Sequence, residues 1–198
     1  MATSEVQICN IALGKLGVDF ISSLEEDSKA GKHCALFYGP CRDSVLAALP
    51  WNFAVKRAAL ARLATDPAFG YSYQYQKPAN CIRVLQLVDP TSEFSIEGTK
   101  VLCDVLNASC FFIERITNVT FFSPGFVMAL AAKLASELAN PLTGELKQIQ
   151  AMQTLYENQL AEAAAVDSAE GLENALEKNT WLEARGITVG TQTPILSE

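Results

Sequence analysis

At Leu49-Pro50-Trp51 the chain changes its hydrophobic period. Upstream, apolar residues recur three and four apart. Downstream, Tyr71, Tyr73 and Tyr75 alternate with Ser72 and Gln74, which is the period of a strand. Pro50 disfavours helix for the residue before it and removes a backbone donor, so the boundary is sharp. Helical spacing returns beyond residue 123. This order specifies an α+β fold, mainly α. Residues 1–55 and 118–185 form a helical bundle frame, and residues 56–117 form a β-rich insert, a small antiparallel sheet of about four or five strands. Residues 186–198 form an extended C-terminal tail, because they are polar or β-branched, include Pro194 and carry no apolar stripe.

Local signals place the elements. Ser4 caps a first helix, with Gln7 as its capping-box partner and Val6, Cys9, Leu13 and Leu16 as its stripe; Gly17 supplies the left-handed stop. Glu25, Glu26 and Asp27 lead into a second helix, where negative charge suits the N-terminal dipole. Its stripe is Ala30, Cys34, Phe37, Cys41, Val45 and Ala48, and Pro40 within it predicts a kink or two stacked helices. In the insert, Ala58–Ala64 also fits a helix. Ile82, Val84 and Val88 alternate with Arg83, Leu85 and Leu87, as in a strand covered on both faces. Phe94–Ile96, Val101–Val105 and Cys110–Ile116 are further strands, with turns at Pro90, Gly98 and Asn107. Ser123-Pro124 opens the helical return with the stripe Val127, Leu130, Leu134 and Leu138. Asn140-Pro141 breaks it. Thr143 caps a last helix with Leu146, Ile149, Met152, Tyr156, Leu160 and Ala163 on one face, running on to Trp181 with a bend near Asp167-Ser168.

Composition excludes several classes of function. Apolar residues make up 49% and charged residues 19%, a globular balance, and no apolar run is long enough to span a bilayer. Met1-Ala2-Thr3-Ser4-Glu5 lacks the basic start of a signal peptide, so the protein is expected to stay where it is made. The six cysteines (Cys9, Cys34, Cys41, Cys81, Cys103 and Cys110) include no CxxC pair, and His33 is the single histidine. They read as reduced core residues rather than a metal cage. There is no GxxxxGK loop, no GxGxxG and no GxSxG elbow. No catalytic, cofactor or metal residue is assigned, and no enzymatic activity is expected.

Net charge is −7, the wrong sign for gripping nucleic acid, although a weakly acidic wall lets a polyanion slide past. The charge is uneven. Residues 50–88 hold Lys56, Arg57, Arg62, Lys77 and Arg83 against Asp66, a net of +4, whereas residues 143–178 hold seven acids against two lysines, a net of −5. These are either ordinary solvated faces or complementary charge between neighbouring copies. Tyr71, Tyr73 and Tyr75 read as one sheet face, packed or set against a partner.

Several blocks together resemble a known family. Cys9-Asn10-Ile11-Ala12-Leu13 with Leu16-Gly17, then Arg42-Asp43-Ser44-Val45-Leu46, then Pro50-Trp51-Asn52-Phe53-Ala54 with Arg57 and Leu60 are similar to the head-to-tail adaptor of short-tailed bacteriophages, tail tubular protein A. So are Tyr73, Tyr75 and Pro78 followed by Cys81-Ile82-Arg83-Val84, then Ala131-Ala132 with Leu134-Ala135, and the closing Trp181-Leu182-Glu183-Ala184-Arg185-Gly186. Asn80 stands where that family has aspartate, and Gly39-Pro40 interrupts a helix usually free of proline. The resemblance implies a virion protein, typically a ring of twelve copies, that docks on the portal protein, meets the tail nozzle protein and passes double-stranded DNA without binding it specifically, with no membrane. On this reading Ile187, Val189, Ile195 and Leu196 would dock on the portal, and Tyr71, Tyr73 and Tyr75 on the tail or a neighbouring subunit. Its rivals are a tail-associated peptidoglycan hydrolase and a DNA-binding packaging factor.

Overall fold

The computed structural model describes residues 4–170, and among these there are four α-helices and seven strands, an α+β arrangement. Helix α1 (Glu5–Leu16) starts where the Ser4 hydroxyl accepts the Gln7 N–H and stops at Gly17, whose φ of 69° is free of strain only without a Cβ. Helix α2 (Lys29–Ala48) is capped by Ser28, which accepts the Gly31 N–H. The acids before it lie outside the helix, and Glu26 instead accepts the Ser22 N–H and hydroxyl and tightens the connector. Pro40 lies inside α2, which continues as one helix from Lys29 to Ala48. Cys34, Cys41 and Val45 face the core as expected; Tyr38 and Leu46 join them, whereas Ala48 is exposed.

Helix α3 (Pro124–Leu142) begins at the Ser123 cap with Pro124 in its first turn. It is the central helix, packed on α1, on α2 and on α4 (Leu146–Ala169). It buries Ala129, Ala131, Ala132, Ala135 and Ala139 as well as Leu130, Leu134 and Leu138, because neighbours cover more of its circumference than one stripe. Asn140-Pro141 does not break it. The stop is Gly144, with φ 69°, whose N–H reaches the Ala139 and Asn140 carbonyls. Thr143 closes this helix instead of capping the next: its hydroxyl donates to the Ala139 carbonyl. Helix α4 buries only Ala163 completely; its stripe from Ile149 to Leu160 is half-buried and Leu146 is exposed.

The insert is two sheets, not one. Strands β1 (Val55–Ala59), β7 (Ser109–Glu114) and β4 (Cys81–Leu87) form a three-stranded sheet in the order β1-β7-β4. Strands β2 (Ala61–Arg62), β3 (Tyr73–Gln76), β6 (Lys100–Cys103) and β5 (Phe94–Glu97) form a four-stranded sheet in the order β2-β3-β6-β5. Every pairing is antiparallel. No helix forms at residues 58–64: Ala58 and Ala59 end β1, Ala61 and Arg62 form β2, and the chain changes sheets at the buried Leu60, whose N–H donates to the Ala108 carbonyl.

The three-stranded sheet separates two cores. Ile113 belongs to the helical core, and its neighbour Phe112 belongs to the core between the sheets, with Cys110, Val84 and Leu87. In β4 the simple alternation fails. The register against β7 slips at Ile82 and again at Leu85, and each extra residue packs on the helical core. Two bulges thus aim two apolar side chains at the helices while Val84 and Leu87 face the other way.

Candidate interaction surfaces

Trp51 locks the junction between helices and sheets. It is fully buried, its Nε1–H donates to the Val45 carbonyl at 2.8 Å, and its ring meets Phe126 edge-on at 5.1 Å. Other motif residues make comparable ties. The Asn10 side chain clamps Ile21 with two 2.9 Å bonds, from Nδ2 to the carbonyl and from the Ile21 N–H to Oδ1. Asp43 accepts from Arg42 at 2.8 Å and from Arg115, just past β7, at 2.8 Å, joining α2 to the sheet. Asn52 donates its backbone N–H to the Asp167 carboxylate and its Nδ2 to the Asp167 carbonyl, which fastens the end of α4 to the start of the insert. Burial pushes the Asp167 carboxyl above its ordinary value, while the Asn52 N–H pulls the other way. Asn80 has φ 55°, a left-handed conformation that asparagine adopts more readily than most residues.

The tyrosine ladder is not an exposed face. Tyr73 and Tyr75 oppose Cys103 and Val101 across β6 and point between the two sheets. Tyr75 is completely buried, and its hydroxyl donates to the Val105 carbonyl at 2.6 Å, so it is a core residue and no part of a docking surface. Tyr73 is half-buried with the Arg62 guanidinium 4.5 Å above its ring, and the half-buried Tyr71 lies before the strand. The alternate residue, Gln74, is buried too: its Nε2 donates to the Thr65 carbonyl and hydroxyl, and its Oε1 accepts from Lys100. The loop of residues 63–72 therefore folds over the outer face of the four-stranded sheet. The portal-facing candidates Ile187, Val189, Ile195 and Leu196, and the block Trp181–Gly186, lie outside the described residues.

The cysteines sit in apolar surroundings. Burial pushes Cys41 up to about 12 and Cys110 up to about 11, and raises Cys81 and Cys103. Cys9 is driven well above the ordinary thiol range, first by its hydrogen bond with Cys34 and then by burial. Such thiols are poor nucleophiles at neutral pH. His33 stacks on Phe37 one turn along, at 6.2 Å, while the adjacent Cys34 points into the core. Among the described residues no group of three or more His, Cys, Asp or Glu side chains is placed to hold a metal ion, and no helix is long and apolar enough to cross a membrane.

Two surface features were not picked out from the sequence. Phe69, at the tip of the 63–72 loop, is 88% exposed. Its signal was an aromatic between the turn formers Pro67 and Gly70. A groove of about 280 Å³ runs between the start of α3 and the second half of α4, lined by Pro124, Gly125, Met128, Ala163 and Val166 with Gln159 and Glu162 at its polar side. Its signal was a pair of small residues, Gly125 and Ala163, on two helices that meet: a Cβ on Gly125 would lie 3.1 Å from that of Ala163.

The chain matches no family model and no curated protein.

Proposed function

We propose that this chain is a structural adaptor of a short-tailed phage virion, a mainly helical bundle frame with a β insert that assembles as a ring, typically of twelve copies, between portal and tail nozzle. The observation that carries the reading is the work done by the motif blocks. Asn10 fixes the connector after α1, Asp43 ties α2 to the residue that follows β7, and Trp51 and Asn52 tie the α2–β1 junction to α2, α3 and α4. Rigid placement suits a spacer that must hold two partners in register, because little ordering entropy remains to be lost on assembly. The long helix α4, which buries a single residue, keeps an outward face exposed among the described residues. The net acidic charge suits a wall past which DNA slides rather than sticks. On this reading the protein acts without catalysis, at the head–tail junction of the virion.

The decisive experiment is native mass spectrometry of the full chain with and without a cognate portal. A ring on the portal, absent when either component is omitted, is the expected result. Components that stay separate would remove the adaptor reading. Deleting residues 187–198 is expected to weaken attachment, and unchanged binding would move the portal contact to the α4 face Leu146–Leu160.

A further inference from the structure

The loop of residues 63–72 walls a cleft on the outer face of the four-stranded sheet. The buried Gln74 donates to both oxygens of Thr65, at 2.5 and 2.7 Å, and its carbonyl accepts the Leu63 N–H at 3.0 Å. Asp104 accepts the Ser72 N–H at 2.7 Å. Both ends of the loop are therefore fixed, and a cleft of about 290 Å³ stays open between the loop and the end of the β5–β6 hairpin. Gln74 and Leu102, register partners on β3 and β6, form its floor and are 5% and 4% exposed. Thr65, Asp66 and Phe69 line the loop side, and Glu97 and Lys100 the hairpin side.

The charges around this cleft cancel. Arg62 pairs with Asp66 at 3.1 Å, and Glu97 lies opposite Lys100 across the hairpin. With each carboxylate matched by a cation, a charged ligand gains no net attraction. The hydrogen-bonding capacity, by contrast, is not used up. The Lys100 ammonium spends one N–H on the Gln74 side-chain oxygen, at 3.1 Å, and has others to give. The Thr65 hydroxyl oxygen accepts from Gln74 and keeps its own proton to donate. The Glu97 side chain is exposed, and its carboxylate oxygens accept. Hydroxyl groups, which donate and accept at once, match such a mixture. Phe69 adds an aromatic face that is 88% exposed. A flat array of C–H bonds packs well on such a ring.

We propose that this cleft binds one neutral hexopyranose ring, with its C–H face on Phe69 and its hydroxyls on Lys100, Thr65 and Glu97. The ligand is neutral because the charges cancel, and polyhydroxylated because donors and acceptors are interleaved. It has one apolar face because the cleft offers one exposed aromatic. It is a single ring because about 300 Å³ is the lower end of small-molecule sites. A loop fixed at both ends over a buried floor loses little entropy when the ligand arrives. The site lies within one chain, so it stands apart from the adaptor-ring reading, and neither decides the other.

The test is saturation-transfer NMR on the full-length chain with the methyl glycosides of glucose, galactose, mannose and N-acetylglucosamine. Free arginine and glutamate serve as charged controls. At least one glycoside should bind, with a Kd of about 1 mM and transfer concentrated on the ring C–H protons. Phe69→Ala should weaken it about tenfold or more, Phe69→Tyr should restore it, and Glu97→Ala should weaken it as well. Phe121→Ala, which removes another exposed aromatic outside the cleft, should leave it unchanged. Neutral trisaccharides of the sugar that binds distinguish its source. Equal or tighter binding assigns the ring to a glycan chain and weaker binding to a free sugar, and either supports the site. No binding by any of the four glycosides overturns the proposal. So does binding that survives Phe69→Ala, or arginine or glutamate binding as tightly as the sugar.

Discussion

The helical core and the core between the two sheets are stabilised in different ways. Around α3 the helices bury an almost purely apolar set, with alanines that let the axes approach. The inter-sheet core is smaller, and polar groups hold the four-stranded sheet around it: Tyr75 on the Val105 carbonyl, Asp104 on the Ser72 N–H and, on the sheet's outer face, Gln74 on Thr65. Helices satisfy their own backbone, so their packing can be apolar throughout. Short strands linked by long loops leave N–H and C=O groups that side chains must meet. The helical part is thus held by buried area with directional bonds at its junctions and connectors, at Asn10, Trp51 and Asn52, and the four-stranded sheet by area with directional bonds on both of its faces. The three-stranded sheet, with Ile113 in one core and Phe112 in the other, couples them.

The largest expected effect lies just ahead of that sheet, in the helical core. Trp51→Ala should cost roughly 3–5 kcal/mol, the range for deleting a large buried aromatic, and should leave the Val45 carbonyl without its partner. Denaturant unfolding should shift as a single transition; an unchanged midpoint would mean that Trp51 is not buried in solution. Tyr75→Phe comes next, at about 0.5–1.5 kcal/mol for one lost hydrogen bond to a half-buried carbonyl. Hydrogen exchange should then accelerate in β3 and β6 more than in α3. Equal acceleration in both would show one cooperative unit and would erase the distinction between the cores.

Asp43→Asn tests a weaker link. The Asp43 and Arg115 side chains are part-exposed, so loosening their pair should cost about 0–1 kcal/mol. The smallest effects concern two loop carboxylates, one in each region. The Ser22 N–H, then the hydroxyls of Ser28 and Ser22, hold Glu26 below its ordinary 4.5; the Thr91 hydroxyl and N–H, then Ser92, hold Asp89 below its ordinary 3.8. A carboxyl lowered in the folded state stabilises fully above its ordinary value, and that contribution is lost as pH falls through the lowered folded value. NMR titration should show both loops loosening only under acid. Either carboxyl titrating at its ordinary value would mean that its hydrogen bonds do not hold in solution.

Helix starts and stops were legible because capping is local chemistry: Ser4 with Gly17, and Ser123 with Pro124, act within one turn of themselves. Thr143 was misread because its hydroxyl serves either neighbouring helix, and only the position of the Ala139 carbonyl chooses. The exposed Phe69 and the α3–α4 groove were not legible, since one depends on a loop pinned by the distant Gln74 and the other on two small residues 38 positions apart meeting in space.

By itself the sequence determined the change of period at Pro50, the identity of each helix and the sign of the charge in each segment. These follow from residue spacing and composition, which neighbours along the chain already define. Tertiary structure alone decided that the strands divide into two sheets at Leu60, that Ile82 and Leu85 bulge toward the helices, and that Tyr75 and Gln74 are both buried on opposite faces of one strand. A strand's period states that it has two faces. What covers each face is decided by residues far away in the sequence, through packing that no local pattern encodes.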